Sequence, residues 1–152
     1  GSDFLVPADA EIVIEGEMAP GERAIADPFG EVTRHYQPQC LRPVMDVTAI
    51  TYRDNAIMQD IFSGHPGHWN LGGIPKEGSL YNNLNRKFGG VKSVHLPHSG
   101  CARFTTYVSM DKKTEGIAKL VGMEVLTSAP LIQLVVVVDE EIAISDCKSI
   151  LP

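Results

Sequence analysis

The chain has 152 residues, 43% hydrophobic and 21% charged, with a formal net charge of −6. That length suits one domain with a real core, and the negative balance argues against nucleic acid or an anionic membrane as main partner, since both need clustered Lys and Arg. No apolar run approaches the ~20 residues of a membrane span.

Cys40, Cys101 and Cys147 are unevenly spaced, with no Cys-x-x-Cys pair. That pattern suits a reducing cytoplasm better than a disulfide framework. The chain opens Gly-Ser without an initiator Met and stops after "SDCKSILP". Gly1 and Ser2 therefore read as a tag remnant, and residues 1–152 as a single domain cut from a longer protein.

In chain order, Glu11 to Met18 alternates as a strand, with Ile12 and Ile14 on one face. "ADPFGEVTRHY", Ala26 to Tyr36, is a charged turn: Pro28 sets φ, Gly30 is free to take a positive φ, and Asp27 and Glu31 are presented on either side. "PVMDVTAITYRDNAIMQDIF" reads as a hairpin with its turn at Arg53-Asp54-Asn55 and a second strand reaching Phe62. "SGHPGHWNLGGIPKEG", rich in Gly and Pro, reads as a long surface loop. It is followed by a short helix with Leu80, Leu84 and Phe88 on one face, Ser79 as N-cap and Gly89 as stop.

"VKSVHL" and "ARFTTYVSM" are two further strands joined by "PHSGC". A helix follows from Lys113 to Ser128, with Ile117, Leu120, Val121 and Val125 on one face. "LIQLVVVVD" is a continuous β-branched run, expected as a central strand covered on both faces. Asp146 stands where it could cap a last helix. Clustered strands with few helices predict an α+β fold: a curved, mostly antiparallel sheet or small barrel of six or seven strands with two or more flanking helices.

Two chemistries compete for the polar residues. Two close carboxylates can separate their pKa values and act as acid and base, which points to Asp27 and Glu31; a turn solvated on both sides is the plainer alternative. His65-x-x-His68 and His95-x-x-His98-x-x-Cys101 offer imidazole and thiolate for zinc. Pro66 and Gly67 separate the first pair, however, and neither half matches a zinc signature, so no metal ligand is assigned. Cys101 after Ser99-Gly100 reads as a small apolar filler. No Walker or dinucleotide glycine motif is present.

Several segments, in order along the chain, resemble the UbiD family of prenylated-FMN-dependent decarboxylases. They are "VPADAEIVIEGEMAPGE", "PFGEVT", "PVMDVTAITYRDNAI", "GHPG", "VKSVHLPHSGC", "KKTEGIAK" and "LVVVVDEEI". The resemblance implies the central domain of such an enzyme, similar to the flavin-reductase split barrel and lining the flavin. It also implies a small aromatic or α,β-unsaturated carboxylic acid as substrate, and loss or addition of CO2 with proton return from a carboxylate. A flavin prenyltransferase would supply the cofactor. Manganese and potassium would be held by residues outside these 152, and the protein would assemble as a homo-oligomer or multi-subunit complex.

The family pattern Glu-Gly-Pro-Phe/Tyr-Gly-Glu/Asp falls on Ala26-Asp27-Pro28-Phe29-Gly30-Glu31. Glu31 takes the place of the second acid. Ala26 replaces the first, and alanine transfers no proton; Arg34 and His35 stand where the family has Gly and Tyr. The catalytic candidates are thus Glu31, with Asp27 and His35 as proton-transfer groups, and Pro97, His98 and Cys101 form a pocket wall. The alternative is a UbiD-like subunit or paralogue that has lost the chemistry and keeps a structural role.

Overall fold

The computed structural model describes residues 4–150. They form two compact units: the residues up to Glu31 together with His35–Ile61, and Val32–Arg34 together with the residues from Phe62 onward. The fold is α+β, with nine strands and three α-helices among the described residues.

The first unit is one long interrupted hairpin. β1 (Ile12–Glu17) pairs antiparallel with β6 (Asp46–Tyr52), β2 (Arg23–Ala26) with β5 (Cys40–Pro43), and β3 (Phe29–Gly30) with β4 (Tyr36–Gln37). Ala26 faces Cys40 and Phe29 faces Gln37. The register is therefore continuous from β2 to β3, and it sets Asp27 opposite Gln39 and Pro28 opposite Pro38. Neither proline has an N–H to give, so the ladder breaks where they face each other. In β1, the register shifts between Glu15 and Gly16. A Cβ on Gly16 would lie 2.7 Å from the Asp46 carbonyl oxygen, so only glycine fits this bulge.

No described side chain of the first unit is fully buried. Ile25 and Leu41, paired across the ribbon, are each 66% exposed. The second strand expected after Arg53-Asp54-Asn55 does not form: residues 57–62 have no regular secondary structure and no ladder partner.

The second unit holds the core. The stretch read as a Gly/Pro loop is instead the first half of α1 (Pro66–Phe88). His65 caps it, its Nδ1 accepting from the Gly67 N–H at 3.2 Å, with Pro66 at the first helical position. Ser79, expected as the N-cap, lies inside the helix and donates to the Pro75 carbonyl oxygen at 3.0 Å. Gly89, at φ 66°, ends the helix as expected.

Three strands form one sheet: β7 (Val91–His95), β8 (Thr105–Met110) and β9 (Leu134–Asp139), in that order. β7 and β8 are antiparallel; β8 and β9 are parallel, joined through α2 (Ile117–Ser128). The Val-rich β9 is therefore an edge strand and only half-buried, whereas β8 is central and almost fully buried. α1 and α2 bury Leu80, Leu84, Val121 and Val125 against Val94, Val108 and Met110. Asp146 caps the short α3 (Cys147–Ile150), accepting from the Lys148 N–H at 3.1 Å.

Four of the five ladders are antiparallel, as the sequence suggests. They are, however, three two-stranded ribbons and one three-stranded sheet, and no closed barrel exists among the described residues.

Candidate functional site

Glu31 and His35 close the tip of the hairpin. The Glu31 N–H donates to the His35 carbonyl oxygen at 2.8 Å, leaving Val32, Thr33 and Arg34 as the loop. Residues facing each other across such a closure hold their Cβ atoms about 5 Å apart. Glu31 is half-buried and His35 exposed.

Asp27 does not join them. Four extended residues span roughly 13 Å, and its Oδ1 accepts from Gln39 Nε2 at 3.5 Å instead. The close pair of carboxylates expected from their spacing is therefore not formed; the residue opposite Glu31 in the backbone is His35. Ala26 sits in β2, half-buried and paired with Cys40.

In the second unit, the end of β7 leads through buried Pro97 into a 3₁₀ turn at His98–Gly100. Cys101 and Ala102 follow, both left-handed at φ 53° and 49°. Two consecutive non-glycine residues in that region carry strain, held in place by packing: Ala102 is buried against the open Gly73 of α1. His98 is exposed, its Nε2 2.7 Å from Asn70 Oδ1 and its ring tilted over Trp69 at 5.3 Å. Cys101 is half-buried against the core, as a filler would be.

The four histidines do not converge. His65 caps α1, and His68 Nδ1 accepts from the Gly64 N–H at 3.3 Å. The Nδ1 of His95 is 2.9 Å from Glu77, and no group of three metal-ligating side chains exists among the described residues. The zinc alternative fails on geometry.

Several residues singled out by the structure gave no sequence signal as functional. Arg34, at φ 68°, donates from Nε to the Gly64 carbonyl oxygen at 2.9 Å and lays its guanidinium 4.6 Å over Trp69. Arg103 sits against Gly72 and donates to the Ala102 carbonyl oxygen at 2.9 Å. A spacing of Trp69, Gly72, Gly73 and Lys76 on one helix face could have revealed this stripe, had the glycines not read as loop.

Two family models match in succession: the Rift-related domain of 3-octaprenyl-4-hydroxybenzoate carboxy-lyase over residues 1–66, and the C-terminal domain of the same enzyme over residues 69–152. Among solved structures, an evolved dimeric form of the UbiD-class enzyme HmfF from Pelotomaculum thermopropionicum, in complex with prFMN, is 42% identical, with a TM-score of 0.91 over 95% of this chain and 34% of that one. The apo 3,4-dihydroxybenzoic acid decarboxylase AroY of Klebsiella pneumoniae is 29% identical, with a TM-score of 0.87 over 95% of this chain and 32% of that one. Vanillic acid decarboxylase of Sedimentibacter hydroxybenzoicus, in open form with truncated ShVdcD, is 27% identical, with a TM-score of 0.87 over 99% and 34%. The chain spans about a third of the length of these proteins.

Proposed function

The chain belongs to the UbiD family of carboxy-lyases, and from that premise we propose that it is the central part of an enzyme that removes or adds a carboxyl group on an aromatic or α,β-unsaturated acid, using prenylated FMN. The observation that carries the reading is Glu31: it ends the Pro-Phe-Gly-Glu segment and is held at a hairpin tip, half-buried, facing His35.

In this reading Glu31 is the acid–base group. Its carboxyl holds the proton that goes to the substrate carbon when CO2 leaves, and His35 exchanges that proton with solvent. Asp27, further along the ribbon, is a separate proton-transfer candidate that does not connect to Glu31. Pro97, His98 and Cys101 contribute a wall of the substrate pocket. The prenylated flavin, when bound, supplies the electron sink for the carbon that loses CO2. The apolar face of the ribbon at Ile25, Leu41 and Phe29 has the chemistry to cover a flat ring. This chain offers no set of metal ligands among its described residues, so manganese and potassium belong to other segments and no step runs through them here.

The ribbons of the first unit are part of a split barrel whose remaining strands come from outside residues 1–152. Two-stranded ribbons with no buried side chain are marginal alone in water, which supports this. Assembly into an oligomer and a flavin prenyltransferase as supplier complete the reading. No helix among the described residues is long and apolar enough to cross a membrane, and the three free cysteines suit a reducing cytoplasm.

A second reading rests on Ala26: the family's first acid is missing, and the protein is a non-catalytic subunit. One experiment separates the two. The full-length protein is co-expressed with a flavin prenyltransferase and its bound flavin identified by absorbance and mass spectrometry. Bound prenylated FMN, with turnover that falls ~10²-fold or more in Glu31→Gln, supports the enzyme. Unchanged turnover in that variant refutes the role of Glu31. A folded, colourless protein favours the second reading, as does decarboxylation that appears only in Ala26→Glu.

A further inference from the structure

One face of α1 gathers positive charge and no counter-charge. Trp69, Gly72, Gly73 and Lys76 follow one another at helical spacing, and Arg103 from the turn after β7 lies across them. The Arg103 Nη1 group reaches the carbonyl oxygens of Ala102 at 2.9 Å and Trp69 at 3.5 Å. A Cβ at Gly72 would fall on the guanidinium, so the missing side chain is what makes room for it. Nη2 and Nε have no acceptor among the described residues.

Lys76 and Arg103 are both half-buried, and neither has a carboxylate within ion-pair distance among the described residues. The adjacent carboxylate, Glu77, is committed elsewhere, accepting from the Leu96 N–H at 2.7 Å and lying 2.9 Å from His95 Nδ1. Burial, and then the Arg103 charge, lower the pKa of Lys76. Surface cations normally avoid such an arrangement, because like charges drawn together out of water oppose one another. An arriving anion reverses the sign of that interaction.

We propose that Arg103 and Lys76 form a binding site for a carboxylate or phosphate group, with the guanidinium fork taking two oxygens and the ammonium acting as a point charge beside them. The ligand chemistry is an oxyanion; a substrate carboxylate and a cofactor phosphate are its two sources. Binding is read on the chain itself, without flavin or turnover, so its outcome is separate from that of the carboxy-lyase reading.

The test is a titration with benzoate and, separately, inorganic phosphate at low salt, following the Arg103 side-chain Nε–H by NMR. Saturable shifts are expected with at least one ligand. Benzoate alone marks a carboxylate site, phosphate alone a phosphate site, and both a general oxyanion site; each supports the proposal. Lys76→Met and Arg103→Met should each weaken binding at least about tenfold. Gly72→Ala should weaken it with every charge retained, because the new methyl displaces the guanidinium while the helix itself favours Ala. Lys119→Met, removing an exposed lysine of α2, should change nothing. Absence of saturation with both ligands overturns the proposal. So does equal weakening by Lys76→Met and Lys119→Met, which would mean diffuse attraction. Should Arg103→Met fail to fold, Lys76→Met decides, since no hydrogen bond of the Lys76 side chain is present among the described residues.

Discussion

The indole nitrogen of Trp69 donates to the carbonyl oxygen of Val32 at 2.9 Å, joining residues 37 positions apart. Arg34 closes over the same ring, and its side chain fills the space that a Cβ on Gly64 would need. One aromatic residue in the first turn of α1 thus holds a three-residue loop by its edge and its face. Trp69 is buried, so the Val32 carbonyl has little water to turn to once the indole is gone.

Trp69→Phe keeps an aromatic ring under Arg34 and removes the donor. We expect a loss of about 1–2 kcal/mol in stability, against about 3–5 for Trp69→Ala, which also opens a cavity. Trp69 is the only tryptophan, so urea unfolding is best followed by circular dichroism. A Trp69→Phe midpoint equal to that of the parent would mean the hydrogen bond contributes nothing net.

α1 shows why part of the fold was hidden from sequence. Local propensity reads Gly67, Gly72, Gly73, Pro75 and Gly78 as breakers, and taken alone they are. Two of them are used for close approach: Gly72 to Arg103 and Gly73 to Ala102. Those partners lie about thirty residues downstream, so the gain from packing that outweighs the propensity cost has no local signature. Leu80, Leu84 and Phe88 have one, and the second half of the helix is legible.

These glycines separate by function. Gly73→Ala would set a Cβ 2.9 Å from that of Ala102, itself buried and left-handed. The neighbour has little room to yield, and a cost of about 1–3 kcal/mol is expected, exceeding the helix gain of under about 1 kcal/mol. Gly78→Ala meets nothing within 4 Å. It should stabilise by about 0.5–1 kcal/mol. Thermal or urea midpoints moving in the same direction for both would contradict the packing described for α1.

The sequence brings a turn to the right stretch, Ala26 to Tyr36, but not to the right residues. Phe29 and Gly30, read with Pro28 as the turn, form β3; the chain reverses at Val32–Arg34, where Arg34 and not Gly30 takes the positive φ. The separation of Asp27 from Glu31 was not legible either, because it follows from the pairing of β2 with β5 and of β3 with β4. That register exists only once both strands are known. Pro28 facing Pro38 and Asp27 facing Gln39 are non-local facts of the same kind, as is the edge position of β9, whose valines look central in isolation.

Glu77 is a second non-local anchor. Its Oε1 accepts the buried Leu96 N–H at 2.7 Å and lies 2.9 Å from His95 Nδ1. A carboxylate in that position selects the imidazole tautomer with the proton on Nδ1 and leaves Nε2 as the basic nitrogen. Glu77→Ala leaves the Leu96 amide without its acceptor and should cost about 1–3 kcal/mol; Glu77→Gln, which keeps a carbonyl oxygen there, should cost less. Nitrogen-15 shifts of the neutral His95 ring should report the Nδ1–H tautomer in the parent and a tautomer mixture in Glu77→Ala. An unchanged tautomer in that variant would show that Glu77 does not orient the ring.

Tyr107 ties the stability of the second unit to alkaline pH. It is 1% exposed, and burial, together with nearby Cys147, pushes its phenol above the ordinary 10. Above pH 10 the folded chain keeps a proton that the unfolded chain releases, so stability falls as pH rises. The contribution is fully present below pH 10 and is lost as pH climbs through the raised folded value. Lys92 beside Glu140 and Lys112 beside Asp139 are also raised, and act in the same direction above 10.5. Lys76, lowered, acts oppositely below 10.5. Those lysines reach solvent and are screened by salt, whereas the buried phenol is not. In about 1 M NaCl, the urea midpoint of the parent should therefore still fall as pH rises beyond 10, and Tyr107→Phe should flatten that fall. Equal slopes in the two proteins would mean that Tyr107 does not have to ionise for the fold to open at high pH.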